Sequence, residues 1–161
     1  MIYIGRFVNL SNDKIKTLQL FCANDNIVKA LIFNDRDFLS KTIPIDFDRN
    51  SLIYSQIFPY KFIPDTATTP TTYITMLSKY KADGNKYRKN SLYFYTITHK
   101  SLISTDQGLR YDFLIDKIDE IFNMSDDFNS SKLQFADMEE FNVDKDGDWI
   151  GSTILYNSLC I

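Results

Sequence analysis

Between Tyr73 and His99 the chain alternates apolar and polar side chains twice, over Tyr73 to Lys81 and again over Leu92 to His99, with Asp83-Gly84-Asn85 between the runs. A period of two scatters apolar groups around a helix but gathers them on one side of a strand, so this stretch is committed to β-structure. The Asp-Gly-Asn triplet supplies turn chemistry, and a β-hairpin is predicted. Tyr93, Tyr95 and Ile97 then share one face, while Leu92 and Phe94 share the other with Thr96 and Thr98.

The flanking sequence changes period. Ser11 precedes an apolar pattern at Ile15, Leu18 and Cys22 with Asp13 in the first turn, which predicts a helix from about Asn12 to Asn24 capped by Ser11. Ile27, Ala30 and Leu31 mark a second helix from about Asn26 to Asn34, followed by a connection over Asp35 to Pro44. Short β-prone runs follow at Ile53 to Phe58 and Tyr60 to Ile63, then a Thr/Pro-rich loop from Thr66 to Thr72. After Gly108, the stretch Leu109 to Asn123 carries an apolar stripe of Leu114, Ile118, Ile121 and Phe122, with Asp112, Asp116 and Asp119 on a different face. Two further strands are predicted over Leu133 to Val143 and Trp149 to Leu159, joined at Asp146-Gly147.

The expected architecture is therefore α+β: an N-terminal helical hairpin, a mostly antiparallel sheet of about four to five strands, and one long helix packed on it. A length of 161 residues fits one domain spanning 1–161 with a core that needs no staples. Aromatic residues make up 15% of the chain, enough to build the core from rings and leave tyrosines at the surface. Cys22 and Cys160 form no CxxC pair, and the N-terminus lacks the basic and apolar regions of an export signal, which fits a reducing cytoplasm. No apolar stretch approaches the roughly 20 residues of a membrane span.

Charge is unevenly placed. Residues 106–161 hold 13 acidic and 4 basic side chains, 4 − 13 = −9, while the remaining 105 residues carry 14 − 8 = +6. Such asymmetry complements a neighbouring copy, or simply decorates a solvated surface.

Reactive chemistry is sparse. The sole histidine, His99, stands at a strand end, where a backbone or solvent contact is its ordinary use, and one histidine with two separated cysteines gives no tetrahedral metal site. Asp144-Lys145-Asp146-Gly147-Asp148 has the carboxylates of a calcium loop. Its glycine is fourth rather than sixth, and Leu155 stands at the twelfth position, so a polar hairpin turn is preferred. Asp112, Asp116 and Asp119 read either as a solvated face or as contacts to a basic neighbour. Lys79, Lys81, Lys86, Arg88 and Lys89 with Tyr80 and Tyr87 suggest a basic, aromatic hairpin tip, a pattern that also protects strand edges. No phosphate-binding glycine loop occurs. No catalytic residue, cofactor or metal is expected, and assembly with other proteins is the expected work of the chain.

The stretch Tyr93 to Asn123, YFYTITHKSLISTDQGLRYDFLIDKIDEIFN, resembles tail-completion (tail-terminator) and neck proteins of tailed bacteriophages. The likeness extends to Ile57-Phe58-Pro59-Tyr60, Ile63-Pro64 and a closing strand near Trp149 to Tyr156. It implies a non-enzymatic virion subunit, made in the host cytoplasm, that forms a ring, commonly six-fold, joining the tail tube to the connector. Genomic DNA would pass through without sequence-specific binding. Arg110, Asp112, Asp116 and Asp119 become candidates for ring contacts or a lumen lining, and the hairpin tip with Lys86, Tyr87 and Arg88 a docking element. Three alternatives stand beside it: a head–tail connector or stopper, a phage protein that binds and inhibits a host protein, and a small hydrolase that would depend on His99.

Overall fold

The computed structural model describes residues 10–65, 68–83, 87–125 and 132–160; for residues 82–83, 87–89 and 159–160 it describes the backbone alone. Elements follow in the order α1 (Leu10–Ala23), α2 (Asp25–Ile32), β1 (Ile57–Phe58), β2 (Thr72–Asp83), β3 (Tyr87–His99), β4 (Ser104–Thr105), β5 (Gly108–Leu109), α3 (Arg110–Phe122), β6 (Gln134–Asn142) and β7 (Trp149–Cys160). Short 3-10 turns stand at Phe38–Ser40, Arg49–Leu52 and Lys100–Leu102. The expected α+β class, with its N-terminal helices, is what the chain adopts.

Five strands form one sheet in the order β1-β2-β3-β7-β6, antiparallel throughout except for the β1–β2 pair. β4 and β5 make a separate two-residue ladder that leads into α3. The predicted hairpin is β2–β3, with its Gly84-Asn85 turn outside the described residues. The predicted Asp146-Gly147 connection joins β6 to β7, and Gly147 takes φ +69°, where a side chain would be strained. The two strands of that hairpin separate in use, because β7 lies between β3 and β6 and becomes central.

Alternation along the strands gives the sheet two faces. Ile74, Met76, Leu92, Phe94, Ile154 and Tyr156 point to the helices and are buried with Leu18 and Phe21 of α1, Ile27, Val28 and Leu31 of α2, and Leu114, Ile118 and Phe122 of α3. Phe21 meets Phe94 and Phe122 edge to face, both at 5.5 Å between ring centres. This is the ring-built core that the composition promised. α2 starts one residue earlier than predicted because Asn24, not an interior residue, is its cap, accepting the Ile27 N–H at 3.1 Å.

Two expectations on the segment before β2 fail. Of Ile53 to Phe58 only Ile57 and Phe58 join the sheet, and Tyr60 to Ile63 forms no strand. Pro59 and Pro64 lack donors for a ladder, and Phe62 instead folds back to stack on Phe58 at 4.1 Å with an interplanar angle of 11°.

Candidate functional site

The face of the sheet opposite the helices has its own smaller cluster of Phe58, Tyr73, Ile97 and Trp149, with Phe62, Tyr95, Phe141 and Val143 packed against it. The 59–65 segment covers one end of this face and leaves a cleft of about 360 Å³ walled by Phe62, Tyr93, Tyr95 and Phe141. Lys61 lies over the Tyr95 ring at 5.4 Å and Lys79 over Tyr93 at 4.9 Å. The cleft is aromatic and cationic, with Glu139 as its acidic edge.

The sheet ends differently on its two sides. β1 pairs only with Ile74 and Thr75, so among the described residues no strand neighbours β2 from Met76 to Asp83 on that side. On the other side, among the described residues, no strand neighbours β6 beyond it, and every residue of β6 but Phe141 is exposed. α3 packs over β3 and β7 and stops short of β6, leaving Phe135 53% and Met138 38% exposed on the helix side of that strand. The outer half of β2 carries Lys79 and Lys81 with Asp83 at its end, while β6 carries Asp137, Glu139 and Glu140 with no basic residue. A long exposed edge is a template for further pairing, and these two have opposite charge.

The residues singled out from sequence separate into distinct roles. Arg110 has no exposed surface. Its guanidinium donates to the carbonyls of Leu102 (3.0 Å), Ala30 (2.9 Å), Phe33 (2.8 Å) and Asp35 (2.8 Å), and lies over the Phe38 ring at 4.8 Å. This corrects its reading as a ring contact or lumen residue: it is an internal clamp on the C-terminal end of α2. Burial pulls its pKa below the usual arginine value, with Asp35 opposing. Asp119 accepts the Tyr156 hydroxyl at 2.6 Å, fixing α3 to β7, and burial followed by this carboxylate drives the tyrosine pKa strongly upward.

Asp116 is exposed beside Lys117. Asp112 sits in the first turn of α3 with Oδ1 buried and unpartnered, and burial, then the neighbouring Glu140 carboxylate, raise its pKa, with Ser152 opposing. The three aspartates thus do not make one free strip. Lys86 lies outside the described residues, and Tyr87 and Arg88 are placed by backbone only, in β3.

Asp112 yields a pH prediction. Its folded pKa lies above the unfolded value, so its ionisation disfavours the fold at pH above the folded pKa, and the penalty vanishes below the unfolded one. Asp112→Asn is expected to raise the melting temperature at pH 7 and to lose that advantage in acid, read from paired thermal melts across pH. A variant less stable than the parent at neutral pH would show the carboxylate's interaction with the α3 N-terminus outweighing its burial.

His99 accepts the Ser101 N–H through Nδ1 at 3.3 Å, lies 2.8 Å from the Ser101 hydroxyl, and meets Trp149 edge to face. It caps a 3-10 turn. In the Asp-rich turn, Asp144 accepts from the Trp149 N–H and Asp148 pairs with Lys100, whose ammonium holds that carboxyl below its usual range. Among the described residues no group of three His, Cys, Asp or Glu side chains is placed to hold a metal, and no described helix is long and apolar enough to cross a membrane.

A protein-family model, YomW, matches residues 24–157, from the cap of α2 into the far half of β7. No curated protein and no solved structure matches the chain. Because the match spans most of the sequence and nearly every element just described, the chain belongs to the YomW family, named after a gene of a Bacillus phage region, and is phage-associated.

Proposed function

We propose that this chain is a virion structural subunit of a tailed phage, a tail-completion protein that forms an oligomeric ring joining the tail tube to the head connector, with no catalytic activity. The observation that carries the reading is the pair of unlike sheet edges, each without a neighbouring strand over most or all of its length among the described residues. A rotationally symmetric ring needs two different surfaces on each subunit, one to meet the other on the next copy. A solvent-facing β6 with Phe135 and Met138 bare is an interface in form. Packaged DNA passes the ring through its electrostatic surface without base readout, and the subunit resides in the virion neck after synthesis in the bacterial cytoplasm.

Particles purified on a density gradient are expected to contain the chain at a few copies each, and phage carrying a nonsense codon in its gene to yield separate heads and tails in electron micrographs. Wild-type particles that lack the chain would overturn the proposal. Recovery instead of a stoichiometric complex with one host protein would replace it with the inhibitor reading.

A further inference from the structure

We infer that the two edges left without a strand neighbour among the described residues are each other's partners: β6 of one copy adds to the outer half of β2 of the next, antiparallel, with Asp137 opposite Lys81 and Glu139 opposite Lys79. The occupant of each edge is a second copy of this chain. The inference rests on the ring reading and gives that ring its contact.

Strand direction supports it. β2 to β3, β3 to β7 and β7 to β6 are each antiparallel, so β6 runs opposite to β2. A second copy placed beside the first with the same face forward therefore brings the two edges together antiparallel, and no strand has to be inverted. Face supports it as well. Asp137 pairs with Leu155 and Glu139 with Thr153, which pair in turn with Tyr93 and Tyr95, so both carboxylates lie on the aromatic side of the sheet. Lys79 and Lys81 lie on that same side, Lys79 against the Tyr93 ring.

Register follows from charge and shape. With Asp137 opposite Lys81, the ladder runs on through Met138 and Tyr80, Glu139 and Lys79, Glu140 and Ser78, and Phe141 and Leu77. Every β2 residue in it lies beyond the part that β1 covers. On the aromatic side two opposite-charge pairs and one apolar pair meet, and on the helix side the exposed Met138 meets Tyr80. A slip of one residue puts the carboxylates on the wrong face, and a slip of two leaves at most one of the charge pairs. Within a chain Asp137 is level with Leu77, by way of Leu155 and Tyr93, so successive copies are staggered by 81 − 77 = 4 residues. That is roughly 13 Å along the strands. Strands tilted to the axis absorb such a stagger on closure, as they do in barrels.

The test reverses charge on one edge at a time. The variant with Lys79→Glu and Lys81→Glu has two acidic edges, and the variant with Asp137→Lys and Glu139→Lys two basic ones. Each is expected to stay folded by circular dichroism and to self-associate about tenfold or more weakly at low salt, read by native mass spectrometry. An equimolar mixture of the two, and the chain carrying all four changes, should assemble again. In phage-producing cells treated with the thiol oxidant diamide, which takes up the two electrons and two protons of each thiol pair, Lys79→Cys with Glu139→Cys should give disulfide-linked multimers joined between those positions.

Double variants that assemble like the parent would sink the ladder while leaving the ring standing, and so would folded variants that fail to recover on mixing. Cross-links from β2 to residues 1–9 of the same chain, or from β6 to a different protein, would overturn it too. A monomer in both the purified and the cellular setting also counts against it. The ring reading itself falls with the absence of the chain from particles, with recovery of a stoichiometric host complex instead, or with a monomer in both settings.

Discussion

Arg110→Met should remove about 4 kcal/mol of folding stability, a large part of what a domain this size possesses. Four of the five guanidinium donors are spent on carbonyls from three segments: Leu102 before the β4–β5 ladder, Ala30 inside α2, and Phe33 and Asp35 just beyond it. A thioether of similar length fills the space over Phe38 but donates nothing. Buried acceptors are then left without partners, each costing on the order of 1–3 kcal/mol. Lysine repairs little, since one ammonium cannot span carbonyls arrayed around a planar fork. Urea unfolding followed by circular dichroism should show the midpoint fall with an unchanged slope. A shift below about 1 kcal/mol would mean that the 33–35 segment re-solvates freely and that the clamp is dispensable.

Gly151→Ala should cost about 3 kcal/mol or more and distort the centre of the sheet. A Cβ at this position would stand 2.2 Å from the Thr96 carbonyl oxygen and 3.1 Å from the Phe141 ring. The first neighbour is backbone of β3 and cannot swing aside, so β7 must move away from β3 at the third pair from the His99 end of their twelve-residue ladder. The same displacement would shift Phe141 at the cleft. Amide exchange is expected to quicken first around Ile97 and Gly151 and to stay slow in α3. A variant with parental stability would show that the two strands slide apart locally at little cost.

The outlines of β2, β3 and α3 were legible because each has one dominant period, two or 3.6, over eight residues or more, and β6 and β7 because β-prone runs flank the Asp146-Gly147 turn. What escaped was decided by partners distant in sequence. Nothing in the run Leu133 to Leu159 announces that β7 will sit inside the sheet and β6 outside; that depends on Gly151 letting β3 approach and on α3 reaching only as far as Tyr156. The 57–63 segment is as β-prone as its neighbours, yet the prolines and the Phe62–Phe58 stack turn it away after two paired residues.

At the candidate site, the excess of acid in the C-terminal third was plain, but that Asp137, Glu139 and Glu140 lie on an edge strand required the topology. Arg110 illustrates the opposite error. An arginine opening a helix beside acidic residues reads as surface, and only the carbonyls of a segment some 75 to 80 positions upstream reveal it as interior.

The placement of β7 also governs when the molecule can exist during translation. β2 and β3 emerge from the ribosome together and can pair at once, but β3 then waits through more than 40 intervening residues for its other neighbour. Until Trp149 to Cys160 arrives, a thirteen-residue flank that includes Phe94 stands open to any passing strand. A nascent chain stalled before Trp149 is therefore the form most prone to aggregate, and a host factor that shields extended segments would act in that interval.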